Sequence, residues 1–201
     1  MTPVKRSSVH HVQAHHHARF VERNGWEIAT SYGDVAAEKT AIQNGVALVD
    51  LGWLGKLECK GEWVASLESQ PVEGATFKKL IPTHGMWIVQ PEALDAAEKK
   101  LESALSGKSK SYLINSSSAY ASFDLLGPKA ADVLCKLSSV QVAVGAHTQA
   151  TVGGVHCLVI RSEHGFQFHF GREFGECMWE FFMDAGMEFG IRPAGLDALA
   201  S

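Results

Sequence analysis

The sequence predicts an α+β fold in which mostly antiparallel sheets are flanked by helices. Short segments with alternating apolar residues recur along the chain, and Gly-containing turns separate several of them. Two longer segments show clear helical spacing between these strands. With 201 residues, the chain suits one large domain or two small, closely associated lobes.

The first half begins with a polar segment, residues 1–17, which we predict to be disordered, with order starting near residue 18. Asp34 is the predicted N-cap of a helix that ends at Gly45. Short strands are predicted at 46–51 and 55–60, and a helix follows around 62–67.

Pro91 opens the clearest helix of the chain. Apolar residues then recur at helical spacing through Leu105, and charged residues occupy the other face. A polar Gly-Lys-Ser-rich loop follows this helix. We therefore predict one domain over 18–201, with two interleaved lobes that meet near 107–115.

The second half is predicted to alternate strand, turn and helix more regularly. Residues 121–126 form a strand, Gly127-Pro128 a turn, and 129–137 a helix. Gly153-Gly154 marks a hairpin turn. The predicted elements that follow are strands at 155–160 and 166–170 and a helix at 174–186.

Composition limits the classes of function. Lys and Arg number 18 against 22 Asp and Glu, a formal net charge of −4, so the basic footprint of a nucleic-acid or anionic-membrane binder is missing. No secretory signal or apolar run of membrane-spanning length is evident, and we expect a cytoplasmic protein. The four well-separated cysteines are predicted to be reduced, buried thiols.

Residues 161–168 form the most informative local pattern, a predicted strand-turn-strand that presents Glu163 at the turn. A carboxylate held there can accept two parallel hydrogen bonds from a flat N–H/NH2 edge. The alternatives are an ordinary surface carboxylate or an ion pair with Arg161.

Several segments, in order along almost the whole chain, resemble the glycine cleavage system T-protein, a tetrahydrofolate-dependent aminomethyltransferase. They lie at 17–21, 25–27, 45–51, 54–57, 123–130, 163–166 and 179–196. The resemblance implies the folate-binding domain of that family and tetrahydrofolate as the ligand. It assigns Glu163 to the 2-amino and ring N–H edge of the pterin, and Leu54 to an apolar and backbone contact in the same pocket.

The chain also departs from the family pattern. Trp53 stands where the family usually has a histidine, and Leu199 replaces a folate-binding arginine. The segment 77–86 is too short for the hairpin that presents the family's catalytic aspartate, and we expect the third, C-terminal barrel domain to be absent. The catalytic residue is therefore unknown, with Asp50, Asp124 and Glu163 as weak candidates.

Two functions follow from the resemblance. The first is a tetrahydrofolate-binding module of one-carbon metabolism, resembling aminomethyltransferase, with catalysis lost or altered. The alternative is a non-catalytic subunit, similar to the gamma subunit of heterotetrameric sarcosine oxidases, in an oxidase or methyltransferase complex. A partner subunit or a second copy would then dock on exposed aromatic residues, for which Trp53, Trp63 and Trp87 are candidates.

Other chemistry-bearing residues favour structural roles. His11 and His15 lie four residues apart in an N-terminal histidine cluster without acidic or Cys ligands beside it, and we predict no metal site. Cys157 and Cys177 are predicted to belong to the core. We also predict mainly core positions for the phenylalanines at 166, 168, 170, 174, 181 and 182. We predict packed or edge positions for the histidines at 147, 156, 164 and 169.

Overall fold

A computed structural model of the chain describes residues 3–200 and confirms the α+β class. The described residues form two compact units. Unit 1 comprises residues 3–53 and 121–200, and unit 2 comprises residues 54–120. The chain thus crosses between units at 53/54 and 120/121, whereas the sequence placed the lobe boundary near 107–115. That loop lies within unit 2, where Gly107 and Lys110 have left-handed backbone angles.

Unit 1 contains nine strands and five helices among the described residues. Its strands are β1 (Lys5–Arg6), β2 (Arg19–Arg23), β3 (Trp26–Ser31), β4 (Ala47–Asp50), β9 (Tyr120–Leu126), β10 (His147–Val152), β11 (Val155–Arg161), β12 (Gly165–Gly171) and β13 (Arg192–Pro193). Its α-helices are α1 (His10–His15), α2 (Val35–Asn44), α5 (Ala130–Leu137), α6 (Gly175–Gly186) and α7 (Leu196–Leu199).

A six-stranded sheet organises unit 1, with strand order β10-β11-β12-β9-β4-β13. The pairs β10–β11, β11–β12 and β9–β4 are antiparallel, and β4–β13 is parallel. One face packs against α5 and α6 through an aromatic cluster. Phe123 makes edge contacts with Phe170, Trp179 and Phe182, at ring-centroid distances of 5.3, 5.9 and 6.3 Å. All four side chains are almost fully buried, so this face forms the core.

The N-terminal segment is ordered, contrary to the predicted disorder of residues 1–17. β1 pairs in parallel with β3, and α1 follows it. Val9 is fully buried in the main core, where it belongs to the same cluster as Trp179. Polar composition concealed this because the buried residues of the segment, Val9, Gln13 and Ser7, are few and two of them are polar. Residues 1 and 2 lie outside the described part.

A second, three-stranded sheet of order β1-β3-β2 is joined to α2 through a buried carboxylate. Glu38, on α2, accepts hydrogen bonds from the backbone N–H of Tyr32 at 2.6 Å and of Gly195 at 2.9 Å. Asp34 caps the same helix by accepting from the N–H of Ala37 at 2.9 Å, as predicted. These bonds tie the end of β3, the start of α2 and the C-terminal segment together.

Unit 2 alternates strands and helices around a four-stranded antiparallel sheet of order β6-β7-β5-β8. Each helical connection joins two strands that have a third between them, which is the split β-α-β arrangement of ferredoxin-like domains. Leu57, Trp87 and Leu101 are buried in its core. The elements are β5 (Gly55–Gly61), α3 (Val64–Leu67), β6 (Ala75–Ile81), β7 (His84–Val89), α4 (Leu94–Leu105) and β8 (Ser111–Asn115), with a 3-10 turn, Pro91–Ala93, before α4.

Candidate functional site

Glu163 lies at the tip of the β11–β12 hairpin, where the sequence placed it. The strands pair in a register that sets Arg161 opposite Phe166, so Glu163 and His164 form a two-residue turn. The turn is closed by the Ser162 N–H, which donates to the Gly165 carbonyl at 2.9 Å. A short, closed turn holds the backbone of Glu163 in one position.

Two glycines seat this hairpin against strand β9. The Gly127 N–H donates to the His164 carbonyl at 2.8 Å. A Cβ atom at Gly165 would lie 2.0 Å from the carbonyl oxygen of Leu125. Gly127 has φ +113° and little space around it, since a Cβ there would meet the Gly45 carbonyl oxygen at 2.5 Å. The hairpin therefore rests directly on the backbone of β9.

The carboxylate of Glu163 is exposed and has no hydrogen-bond or ion-pair partner within residues 3–200. Arg161, the alternative ion-pair partner, is engaged elsewhere. Its guanidinium donates to the Val142 carbonyl at 3.2 Å and lies 4.9 Å from the ring centre of Phe166. Both oxygens of Glu163 are therefore available to a ligand.

Leu54 is 4% exposed and precedes β5 in unit 2. Glu163 belongs to unit 1. The pocket that the resemblance builds from both residues thus stays a prediction.

Asp50, the first weak candidate for a catalytic carboxylate, has structural partners on both oxygens. Gln13 Nε2 donates to Oδ2 at 3.0 Å, and the Gly52 N–H donates to Oδ1 at 2.8 Å. The indole N–H of Trp53, the residue that replaces the family histidine, donates to the Asp50 backbone carbonyl at 3.1 Å. These contacts fix the turn after β4.

Asp124, the second weak candidate, lies in the interior of strand β9, opposite Val49 on β4. Its carboxyl has no hydrogen-bond or ion-pair partner in the described part of the chain. Burial raises its pKa from the ordinary value near 3.8 to about 7. A carboxyl group with such a pKa can both donate and accept a proton near neutral pH.

A buried hydrogen-bond chain on the same strand pair escaped the sequence analysis. His169 Nδ1 lies 2.8 Å from Ser122 Oγ, and its Nε2 lies 3.0 Å from Gln167 Oε1. Ser122 and His169 are almost fully buried. Because an amide oxygen only accepts, His169 Nε2–H donates to Gln167 Oε1. In the sequence, this chain could have been found from the polar residues that alternate with phenylalanine in β12, because they predict a second, polar face of that strand.

Unit 2 has its own buried carboxylate, also missed from sequence. Glu58, on β5, lies 2.7 Å from His84 Nε2, 3.2 Å from Lys60 Nζ and 3.2 Å from the Tyr120 hydroxyl. Burial pushes its pKa upward, but hydrogen bonds from Ser116, Lys60 and His84 outweigh that effect and hold the pKa below its ordinary value. Neighbouring donors therefore keep Glu58 ionised.

The other predicted positions divide between core and surface. Trp87 is buried, Trp53 is partly buried and Trp63 is 41% exposed, so Trp63 alone of the three presents a large free surface. Phe174 and Phe181, predicted as core, are exposed; Phe181 lies on α6 and Phe174 in the 3-10 turn, Arg172–Phe174, that precedes it. Cys135 and Cys177 are likewise exposed rather than buried, because both lie on the solvent side of α5 and α6; Cys59 and Cys157 are buried.

The segment expected to lack the family's catalytic aspartate contains a short hairpin. β6 and β7 pair around Pro82-Thr83, and no carboxylate lies at that tip. Leu199, in place of the family arginine, is 40% exposed near the end of α7.

Among the N-terminal histidines, His10 stacks on Phe20 and lies 2.8 Å from Glu27, and His11 lies 3.3 Å from Glu176. Within residues 3–200, no three potential metal ligands come together. The helices of that same range are too short or too polar to traverse a bilayer.

Comparison with known proteins places these features in a family. The family model described as the GCVT N-terminal domain matches residues 75–201. An aminomethyltransferase of Moorella thermoacetica is 28% identical over 90% of this chain and 58% of its own length. One from Desulfitobacterium hafniense is 25% identical over 98% of this chain and 63% of its own length. The chain thus spans about three fifths of these relatives.

Two solved structures share the fold. Aminomethyltransferase T of the glycine cleavage system from Bartonella henselae superposes with a TM-score of 0.81 at 16% identity, over 97% of this chain and 60% of that one. A chain of the heterotetrameric sarcosine oxidase from Corynebacterium sp. U-96 superposes with a TM-score of 0.70 at 19% identity, over 92% of this chain and 96% of that one. At these identities the likeness shows the fold.

Proposed function

This chain belongs to the GCVT N-terminal domain family, and from that premise we propose that it binds tetrahydrofolate through the Glu163 hairpin. The observation that carries the proposal is a closed two-residue turn, seated on β9, that presents a carboxylate without a partner in the described chain. A carboxylate so held can accept two parallel N–H bonds from the 2-amino and ring N–H edge of a pterin.

The proposed role is that of a folate module in one-carbon metabolism with altered or lost transfer activity. The Pro82-Thr83 turn carries no carboxylate in the place where the family presents its catalytic aspartate. The free cysteines of the described residues accord with the cytoplasmic location that we propose.

Isothermal titration of the whole chain with tetrahydrofolate under reducing conditions tests this function. We expect Glu163→Gln to weaken binding at least about tenfold, because the amide keeps one acceptor and replaces the other with a donor. Glu180→Gln, an exposed change on α6, is the matched control and should leave affinity unchanged. Absence of binding at millimolar folate by the folded protein would refute the function, and equal affinity of Glu163→Gln would refute only the residue assignment.

A second candidate is a non-catalytic subunit of a heteromeric oxidase or methyltransferase complex. The match to one chain of a heterotetrameric sarcosine oxidase over 96% of that chain's length favours it. Exposed Trp63, Phe174 and Phe181 offer aromatic contacts for a partner. Native co-purification followed by light scattering tests this role. A chain recovered as a partnerless monomer would contradict it.

A further inference from the structure

The two edge strands of the unit 2 sheet, β6 and β8, differ in how they are protected. An edge strand presents unpaired N–H and C=O groups, and proteins commonly guard such an edge with lysines or a bulge. β6 has both, because Lys78 and Lys79 lie on it and its pairing with β7 shifts register between Lys79 and Ile81. β8 (Ser111–Asn115) contains no charged residue and no proline, and its pairing with β5 is regular. The β8 edge is therefore open to another strand.

The pairing of β8 with β5 identifies the backbone groups at this open edge. The Ser116 N–H donates to the Lys56 carbonyl at 2.9 Å. In an antiparallel ladder, residues whose backbone groups point to the neighbouring strand alternate with residues whose groups point away. Tyr112 and Ile114 therefore direct their N–H and C=O groups to β5. The groups that point outward, where residues 3–200 provide no further strand, belong to Ser111, Leu113 and Asn115.

The side chains of β8 divide between core and solvent. Leu113 packs against the core cluster that includes Leu101 of α4. Its neighbours Tyr112 and Ile114 lie on the other face of the strand, where they are 67% and 45% exposed. Two large apolar side chains thus accompany an unprotected row of backbone groups, and a second strand would cover both.

We propose that β8 pairs in antiparallel orientation with β8 of a second copy of this chain, about a two-fold axis at Leu113, so that the two sheets join into one. In this register Leu113 lies opposite Leu113 of the second copy, and Ser111 lies opposite Asn115. The backbone groups of all these residues point outward, so about six hydrogen bonds form between the copies. An axis at Tyr112 or Ile114 would give only about four.

The same register makes the side chains complementary. Tyr112 of each copy lies opposite Ile114 of the other, at a pair without backbone hydrogen bonds, where opposing side chains come closest. Aromatic and β-branched residues are favourable partners across two strands. The exposed apolar surface of one copy therefore covers that of the other.

The charges at the two ends of β8 also favour a second copy. Lys108 and Lys110 precede the strand, and Glu62 pairs with only one of them, Lys110, at 3.2 Å. At the other end, Glu98 on α4 accepts a hydrogen bond from Asn115 Nδ2 at 3.1 Å. Antiparallel pairing brings the basic end of one copy to the acidic end of the other. The strand thus matches itself in backbone, side chains and charge.

Sedimentation equilibrium of the whole chain under reducing conditions, at concentrations up to about 1 mM, tests the proposal. We expect a reversible monomer–dimer equilibrium. Tyr112→Lys removes the aromatic contact and places two lysines near the two-fold axis, so the dissociation constant of the dimer should rise at least about tenfold. Thr76→Lys is the matched control, because it adds the same charge to an exposed position on the guarded edge, β6. It should leave the dissociation constant unchanged.

Amide hydrogen exchange of the wild-type chain locates the surface without depending on any variant. Protection of the Leu113 N–H should increase with protein concentration, because this group is hydrogen bonded only in the dimer. The N–H groups of the β6 edge should show no such increase.

Oxidative cross-linking tests the register. The parent chain has its exposed cysteines, Cys135 and Cys177, replaced by serine. A mixture of chains with Tyr112→Cys and chains with Ile114→Cys should form disulfide-linked dimers, because these positions oppose each other. Either variant alone should form far fewer.

Three results would overturn the proposal. The first is a chain that stays monomeric at about 1 mM, which includes the case that the edge accepts a strand from a different protein. The second is a dimer that Tyr112→Lys leaves intact or that forms without protection of Leu113, because such a dimer uses another surface. The third is equal cross-linking by the mixture and by either variant alone. None of these measurements involves folate, so this proposal and the folate function can fail independently.

Discussion

Strands β9 and β5, one in each unit, each carry a carboxylate, partly buried at Asp124 and buried at Glu58, in opposite electrostatic surroundings. Glu58, on β5, is surrounded by donors from His84, Lys60 and Tyr120, and its pKa lies below the ordinary value. Asp124, on β9, has no donor in the described chain, and its pKa rises to about 7. The two groups have similar intrinsic acidity, so their surroundings produce the difference.

This difference separates a structural carboxylate from a candidate functional one. A carboxylate with donors stabilises the fold in its ionised form and has little capacity left for a ligand. A carboxylate without donors destabilises the fold when it ionises, and such a cost persists in a protein at positions that serve a ligand or a reaction. The stability contributed by Glu58 is therefore expected to fall as pH falls, whereas the ionisation of Asp124 is expected to destabilise the fold as pH rises.

The largest expected change in stability is at a third carboxylate, Glu38. Like Glu58 it has hydrogen-bond donors, but it lies in unit 1. Glu38→Ala leaves the buried N–H groups of Tyr32 and Gly195 without their acceptor. We expect the free energy of unfolding to fall by about 5 kcal/mol, from two lost charge-assisted bonds. Urea denaturation measures it. Glu22→Ala, on the exposed strand β2, should change it by less than about 0.5 kcal/mol.

Asp124→Asn should have the next largest effect, with the opposite sign. The folded-state pKa is raised, so ionisation destabilises the wild-type fold as pH rises from about 4 to about 7, and the penalty is constant above that range. The variant lacks this penalty. We expect equal stabilities near pH 4 and a variant more stable by about 4 kcal/mol at pH 8, as a shift of about three pKa units implies. Parallel pH profiles for both proteins would show that Asp124 is not perturbed.

Local patterns in the sequence predicted much of the fold. Helix α4 followed from Pro91 and apolar spacing, the Asp34 cap from its residue type, and the Glu163 hairpin from alternation around a Gly turn. These features depend on residues close in the chain. The order of residues 3–17 could not be predicted, because it depends on the long-range burial of Val9 beside Trp179.

In the candidate site, too, the sequence predicted what depends on residues close in the chain and missed what depends on distant ones. Glu163 was found because its turn is local. The surroundings of Asp124 depend on strand order, since β9 lies between β12 and β4 only in the folded sheet. Exposure of Phe174 and Phe181 was missed for a related reason. Their spacing suits one buried helical face, but Phe174 precedes α6, and only the packing of α6 shows that its buried face carries Trp179 and Phe182.

The smallest of the three effects is expected at Glu58. Glu58→Gln removes the charge that His84, Lys60 and Tyr120 share, and we expect a loss of about 2 kcal/mol at pH 7. The folded-state pKa is depressed, so this stabilisation is present above the ordinary carboxyl pKa and is lost as pH falls through the folded value. The gap between variant and wild type should therefore narrow in acid, whereas the gap for Asp124→Asn opens as pH rises. Glu62→Gln, whose carboxylate pairs with Lys110 at the surface of the same unit, should cost less than about 0.5 kcal/mol. A Glu58 gap that stays constant down to pH 3 would mean that shape, not charge, accounts for its contribution, and the contrast between the two strands would then rest on Asp124 alone.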